Sequence, residues 1–147
     1  DPNSGAIRLP SSVLFAVGSF ELKPEARKQL KETLEPYLNA LLSDDTIREN
    51  IDHIIIEGHT DSDGSYMHNL DLSQKRAYAV MAFIYSWDEK KNATLQKYLS
   101  ATGRSYSDRL FKNGVEDKEA SRRIEIKFNL SNKKAIEEIE TFLNKKE

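Results

Sequence analysis

The sequence predicts an α/β sandwich, with helices packed on a small mixed sheet. Three observations lead there. Apolar residues recur at helical spacing in two long segments, Leu30 to Leu41 and Ala77 to Ile84. Between them lies the unbroken run Ile54-Ile55-Ile56, the mark of a strand buried on both faces and therefore central. Near the end, "RRIEIKFNL" alternates, with Ile124, Ile126, Phe128 and Leu130 facing in and Glu125 and Lys127 out. The 147 residues suit one domain with a real core.

The predicted order is β-α-β-α-β-loop-β-α. "DPNSGAIRLPSS", residues 1–12, is polar and turn-rich and reads as a linker or a cloning scar. "VLFAVGSF" (Val13 to Phe20) is the expected first strand. Pro24 then suits a first helical turn. Leu30, Leu34, Tyr37, Leu38 and Leu41 follow on one helical face, with Pro36 expected to bend or split that helix. "SDD" (Ser43 to Asp45) closes it. "IDHIIIEG" (Ile51 to Gly58) is the strongest strand. "LSQKRAYAVMAFIYSW" forms the second helix, burying Ala77, Val80, Met81 and Ile84, with Asp71 or Ser73 as its cap. "DEKKN" (Asp88 to Asn92) is solvated. "LQKYLSATG" leads into a short strand ending near Gly103, and Arg104 to Ser121 reads as a long loop. After the alternating strand, residues 131–147 form an amphipathic helix expected to pack Ile136, Ile139 and Phe142 onto the domain of residues 13–130. No internal repeat or low-complexity segment is present.

Composition narrows the function classes. Net charge is -2, with both signs spread along the chain. There is no basic surplus for nucleic acid. Cysteine is absent, which removes disulfides, thiolate metal sites and thiol nucleophiles. No apolar run approaches the roughly 20 residues that span a bilayer, and no signal peptide is visible. The chain reads as a soluble piece of a longer, anchored protein. It is too short for a full doubly wound nucleotide fold, and "ATGRS" is no glycine-rich phosphate loop.

The stretch "EGHTDSDGSYMHNLDLSQKRA" (Glu57 to Ala77) concentrates the candidate chemistry. A metal reading would use His59, Asp61, Asp63 and His68. Counted from Asp61, however, a calcium loop would need glycine where Tyr66 stands and glutamate where Leu72 stands. The two histidines are also poorly spaced for zinc. A hydrolase reading would pair Asp61 with His59 or Asp63 around Ser62, Ser65 or Ser73, yet no serine sits in a G-x-S-x-G elbow. A clamp reading asks less. Asp61 follows the central strand and Arg76 lies on the next helix, so both can face the crevice beyond the strand end. A fixed carboxylate and a fixed guanidinium suit a zwitterion. Alternatively, the two residues form a salt bridge with each other.

"IIIEGHTDSDG…N…LSQKRAYAV…SRRIEIKF" resembles the OmpA-like peptidoglycan-binding domain, found in outer-membrane protein A, the lipoprotein Pal and the periplasmic part of the flagellar stator protein MotB. The family pattern is G-H-T-D-x-x-G, then N-x-x-L-S-x-x-R-A, then N-R-R-x-E. The resemblance covers Val13 to Leu130. It implies a non-catalytic domain without cofactor or metal. The implied ligand is peptidoglycan, through the meso-diaminopimelate of its stem peptide. Asp61 and Arg76 stand at the family's ligand-binding positions. Asn69, Thr60 and Arg122 match further contacts, and Arg123 a structural position. A membrane-anchored parent in the Gram-negative periplasm follows, attached to the inner or outer membrane, with a homodimer admitted. The same resemblance allows the wall-binding part of a MotB-like stator subunit. A metal-dependent envelope hydrolase is the alternative of another class. Three departures stand out. Ala16 and Val17 replace an Asp or Asn, Ser121 replaces the Asn before the arginine pair, and the Gly103–Ser121 loop lacks the family's glycine-tyrosine-glycine pattern.

Overall fold

The computed structural model describes residues 6–87, 92–131 and 133–144. The chain begins with strand β1 (Ile7–Pro10) and one helical turn, α1 (Ser11–Leu14). Helix α2 (Pro24–Ser43) and the short α3 (Asp45–Asn50) lead to β2 (Ile51–His59). Helix α4 (Tyr66–Tyr85) and α5 (Asn92–Tyr98) lead to β3 (Leu99–Gly103). The hairpin β4 (Phe111–Lys112) and β5 (Val115–Glu116), the turn α6 (Lys118–Ser121), β6 (Arg123–Leu130) and α7 (Lys133–Asn144) complete it.

The main sheet has the order β1-β6-β2-β3. β2 runs parallel to β3 and antiparallel to β6, which pairs antiparallel with β1, so the sheet is mixed and β2 is interior, as expected. One face carries Ile54, Ile56, Ile124 and Ile126, all fully buried, against Ala26, Leu30, Leu34 and Leu38 of α2 and Ala77, Val80 and Ile84 of α4. Burying a side chain of this kind stabilises by about 1.5–3 kcal/mol. β2 is not apolar on both sides. Ile55 is only half-buried, and on its face Glu57 and His59 are buried beside Arg123 and Glu125 of β6.

The first strand differs from expectation. It lies at Ile7–Pro10, inside the stretch read as a linker, and Pro10 ends it on a sheet edge where no donor is needed. Val13 to Phe20 is instead a helical turn, with Phe15 N–H donating to Ser11 O at 2.8 Å, followed by an isolated bridge from Phe15 to Leu22. A short apolar run does not distinguish a strand from a buried turn. Only Leu14 and Phe15 of that run are deeply buried, and Val17 is fully exposed.

Pro36 lies inside α2 without dividing it. α4 starts before the expected Asp71 or Ser73, because the Ser65 hydroxyl accepts His68 N–H at 3.1 Å and caps it. The Arg104–Ser121 segment is not a plain loop. Asn113 and Gly114, at φ 54° and 79°, form the tight hairpin turn between β4 and β5. α7 forms as expected, but Ile136, Ile139 and Phe142 are more than half exposed rather than packed inward. An amphipathic pattern states that a face suits burial without stating what covers it. Of the solvated stretch after α4, residues 88–91 lie outside the described residues.

Candidate functional site

Two glycines set the site's depth. Gly58 of β2 pairs with Gly103 of β3, and α4 crosses directly over them. A Cβ on Gly58 would sit 2.2 Å from Ser73 O, and one on Gly103 2.5 Å from Gln74 N. Glycine therefore lets the α4 backbone rest on the strands. Arg76, one turn beyond Ser73, is thereby brought to the carboxyl end of β2.

A cleft of about 730 Å³ opens there. It gathers Thr60, Asp61, Asn69, Arg76 and Arg122, all five residues singled out from the sequence. Lys23 and the Ala16–Gly18 turn form its far wall. The alternative of a direct salt bridge between Asp61 and Arg76 is not what forms. Asp61, 6% exposed, binds Arg122 through Oδ2, while its Oδ1 accepts Asp63 N–H at 2.9 Å. Arg76, also 6% exposed, donates Nε to Ser19 O at 2.8 Å and Nη2 to Ala16 O at 3.3 Å, and its guanidinium lies 5.0 Å from the centroid of the Phe15 ring. Burial, then the charge of Arg122, pulls the Arg76 pKa down from its ordinary value. The two guanidinium groups are thus close enough to feel each other's charge.

The other residues hold the loop. Thr60 N–H donates to Ser105 O at 2.9 Å, and its hydroxyl donates to Asp61 O at 3.0 Å. Asn69 Nδ2 donates to Asp63 O at 2.7 Å and Ser65 O at 3.0 Å, across the left-handed Gly64 at φ 88°. From outside, Glu116 accepts Ser62 N–H at 3.0 Å and its hydroxyl at 2.6 Å, and Lys118 Nζ donates to Asp63 Oδ1 at 2.7 Å. Sequence reasoning missed Lys23, Ser105, Glu116 and Lys118. The turn signal Asn113-Gly114 marked the hairpin that delivers Glu116 but passed unused.

The metal and hydrolase constellations do not assemble. His59 points to the opposite sheet face, where Nε2 meets Glu57 Oε1 at 3.0 Å, and His68 is exposed on the first turn of α4. Glu57, His59 and Glu125 do lie within ligating distance of one another. Lys127 reaches Glu57 at 2.8 Å and Arg123 binds Glu125, so the two carboxylates, opposite each other in register, are already compensated. The His59 hydrogen bond, with help from Lys127, outweighs burial and holds the Glu57 carboxyl at about 2. Arg123, 3% exposed, also donates to Ser121 O and Asp108 O, both at 3.0 Å. The candidate serines are occupied by structure. Ser62 binds Glu116, Ser65 caps α4, and Ser73 donates to Leu70 O while accepting Ser105 N–H.

The chain is similar over 128 residues to the Zorya protein ZorB of Escherichia coli, at 37% identity, covering 78% of this chain and 52% of that protein. It spans about half the length of the curated relatives it matches. The crystal structure of a putative MotB-like protein from Desulfovibrio vulgaris superposes with a TM-score of 0.60 at 26% identity, covering 86% of this chain and 75% of that one. The periplasmic domain of Helicobacter pylori MotB (residues 78–256) superposes at 0.65 over 96% of this chain and 85% of that one; at 20% identity it shares the fold. The family description "OmpA family" matches residues 14–123, and the chain belongs to that family.

Proposed function

We propose that this domain binds peptidoglycan without cleaving it, takes the diaminopimelate of the stem peptide into the Asp61 cleft, and tethers a larger membrane-attached protein to the wall in the Gram-negative periplasm. The observation that carries this reading is a buried carboxylate, Asp61, paired with Arg122 and sharing one cleft with a second, buried guanidinium, Arg76, at the carboxyl end of the central strand, in a member of the OmpA family. The distal end of diaminopimelate carries an ammonium and a carboxylate. Asp61 receives the ammonium. The Arg122 side chain, 43% exposed, is free enough to turn from Asp61 to the ligand carboxylate. Arg76 Nη1, which takes no part in the bonds to Ser19 and Ala16, completes the grip. Asn69 and Thr60 keep the loop in shape.

A second reading concerns the parent protein. The relatives include ZorB and a MotB-like protein, which favours the wall-binding part of a stator-type subunit over a passive anchor. The occupied serine hydroxyls support binding without hydrolysis. Purified domain should co-sediment with insoluble sacculi, in the presence of a chelator as well, and release no soluble muropeptides. Failure to sediment, or muropeptide release that vanishes in Asp61→Ala, would overturn the reading.

A further inference from the structure

Close to the ligand loop lies a stripe of side chains, Tyr66, Tyr106, Arg109 and Phe111, none of which lines the cleft. Tyr66, at the start of α4, meets Tyr106 edge to face with ring centroids 5.2 Å apart. The Arg109 guanidinium lies 5.9 Å from the centroid of Tyr106 and 5.4 Å from that of Phe111. Tyr66 is 40% exposed and Phe111 57%. The stripe is fastened to the ligand loop. Phe111 pairs in register with Glu116, the residue that holds Ser62 through both carboxylate oxygens, and directly opposed residues share one face of a hairpin. Lys118 adds its bond to Asp63. Stripe and cleft are therefore parts of one surface.

We propose that this stripe is a saccharide subsite, taking a sugar of the glycan strand that bears the stem peptide. The proposal rests on the reading of the cleft as the stem-peptide site. A pyranose offers a face of weakly positive C–H groups, which suits the electron-rich face of an aromatic ring. Its hydroxyl and acetamido oxygens are acceptors for a guanidinium. Three aromatic rings and the one guanidinium of Arg109 supply both. The stem peptide is joined covalently to the glycan, so holding the peptide in the cleft raises the local concentration of sugar at the stripe.

The test is calorimetry with three probes: a diaminopimelate tripeptide, the same tripeptide carrying its disaccharide, and peptide-free glycan oligomers. Wild type should bind the disaccharide-bearing fragment about fivefold more tightly than the free tripeptide, roughly 1 kcal/mol. Phe111→Ala should abolish that difference and leave tripeptide affinity unchanged, and Phe111→Trp should retain it. Circular dichroism monitors the fold of each variant. Equal wild-type affinity for the two fragments, or an undiminished difference in Phe111→Ala, overturns the subsite. If wild type does not bind the tripeptide, the proposed function fails separately. Phe111-dependent binding of peptide-free glycan would still support the subsite in that case, and its absence would overturn it.

Discussion

Arg76→Lys keeps a positive charge in the cleft and removes the guanidinium fork. That fork joins α4 to the far wall, donating to Ser19 O at 2.8 Å and Ala16 O at 3.3 Å while lying over Phe15. A lysine ammonium is a single point that cannot reach both carbonyls or stack on the ring. A hydrogen bond from a charged donor contributes about 1.5–3 kcal/mol. The 2.8 Å bond is the stronger of the two, and Arg76 itself is almost wholly buried. Losing that bond and the stacking should cost about 2–3 kcal/mol of stability. For a domain of this size that lowers Tm by roughly 4–12 °C. Asp61→Asn provides the contrast. Its Oδ1 still accepts Asp63 N–H, and the lost ion pair has a half-exposed arginine, so the loss should stay within about 1 kcal/mol. Urea unfolding followed by Trp87 fluorescence, with thermal circular dichroism, reads both variants. An Arg76→Lys midpoint equal to wild type would refute the claim that Arg76 fastens the wall of the cleft.

Glu57 should give the fold an acid-sensitive limb. Its carboxyl is depressed from 4.5 to about 2 in the folded state, so the unfolded chain binds more protons in that interval. Its stabilising effect is complete above the unfolded pKa and is lost as pH falls through the folded one. Urea midpoints measured down that interval should fall for wild type and stay flatter for Glu57→Gln, and parallel curves would exclude the His59–Glu57–Lys127 network as the cause. Gly58→Ala forces a methyl against the backbone carbonyl of Ser73, 2.2 Å from the new Cβ. Overpacking of this kind costs typically about 1–3 kcal/mol and should here also displace Arg76; unchanged urea stability would count against the close approach of α4 to β2.

The elements with strong periodicity were legible in the sequence. α2, α4, β2 and β6 follow from spacing alone, because one buried face repeats over many residues. β1 was hidden, since four residues alternating only Ile7 and Leu9 with Arg8 and Pro10 resemble a linker until β6 supplies the partner. Asp61 and Arg76 were legible from their spacing, and Asn69, Thr60 and Arg122 only through the family resemblance, but the pairing within the cleft was not legible. Asp61 reaches Arg122 across a separation of 61 residues, a contact made by the sheet register that places β6 beside β2. The buried polar face was likewise invisible. Glu125 read as an outward-facing charge, and only compensation by Arg123 permits its burial beside Glu57.

The central claim is that Asp61 and its two arginines read both groups at the far end of diaminopimelate. The direct measurement is calorimetry of wild type, Asp61→Ala and Arg122→Ala against a diaminopimelate stem peptide and its lysine counterpart. Lysine keeps the ammonium and lacks the carboxylate. Truncating one member of a buried charge pair costs about 2–5 kcal/mol, so Asp61→Ala should weaken binding at least about thirtyfold. Wild type should strongly prefer diaminopimelate, and Arg122→Ala should narrow that preference. Equal wild-type affinity for the two peptides, or full binding by a folded Asp61→Ala, would contradict the account.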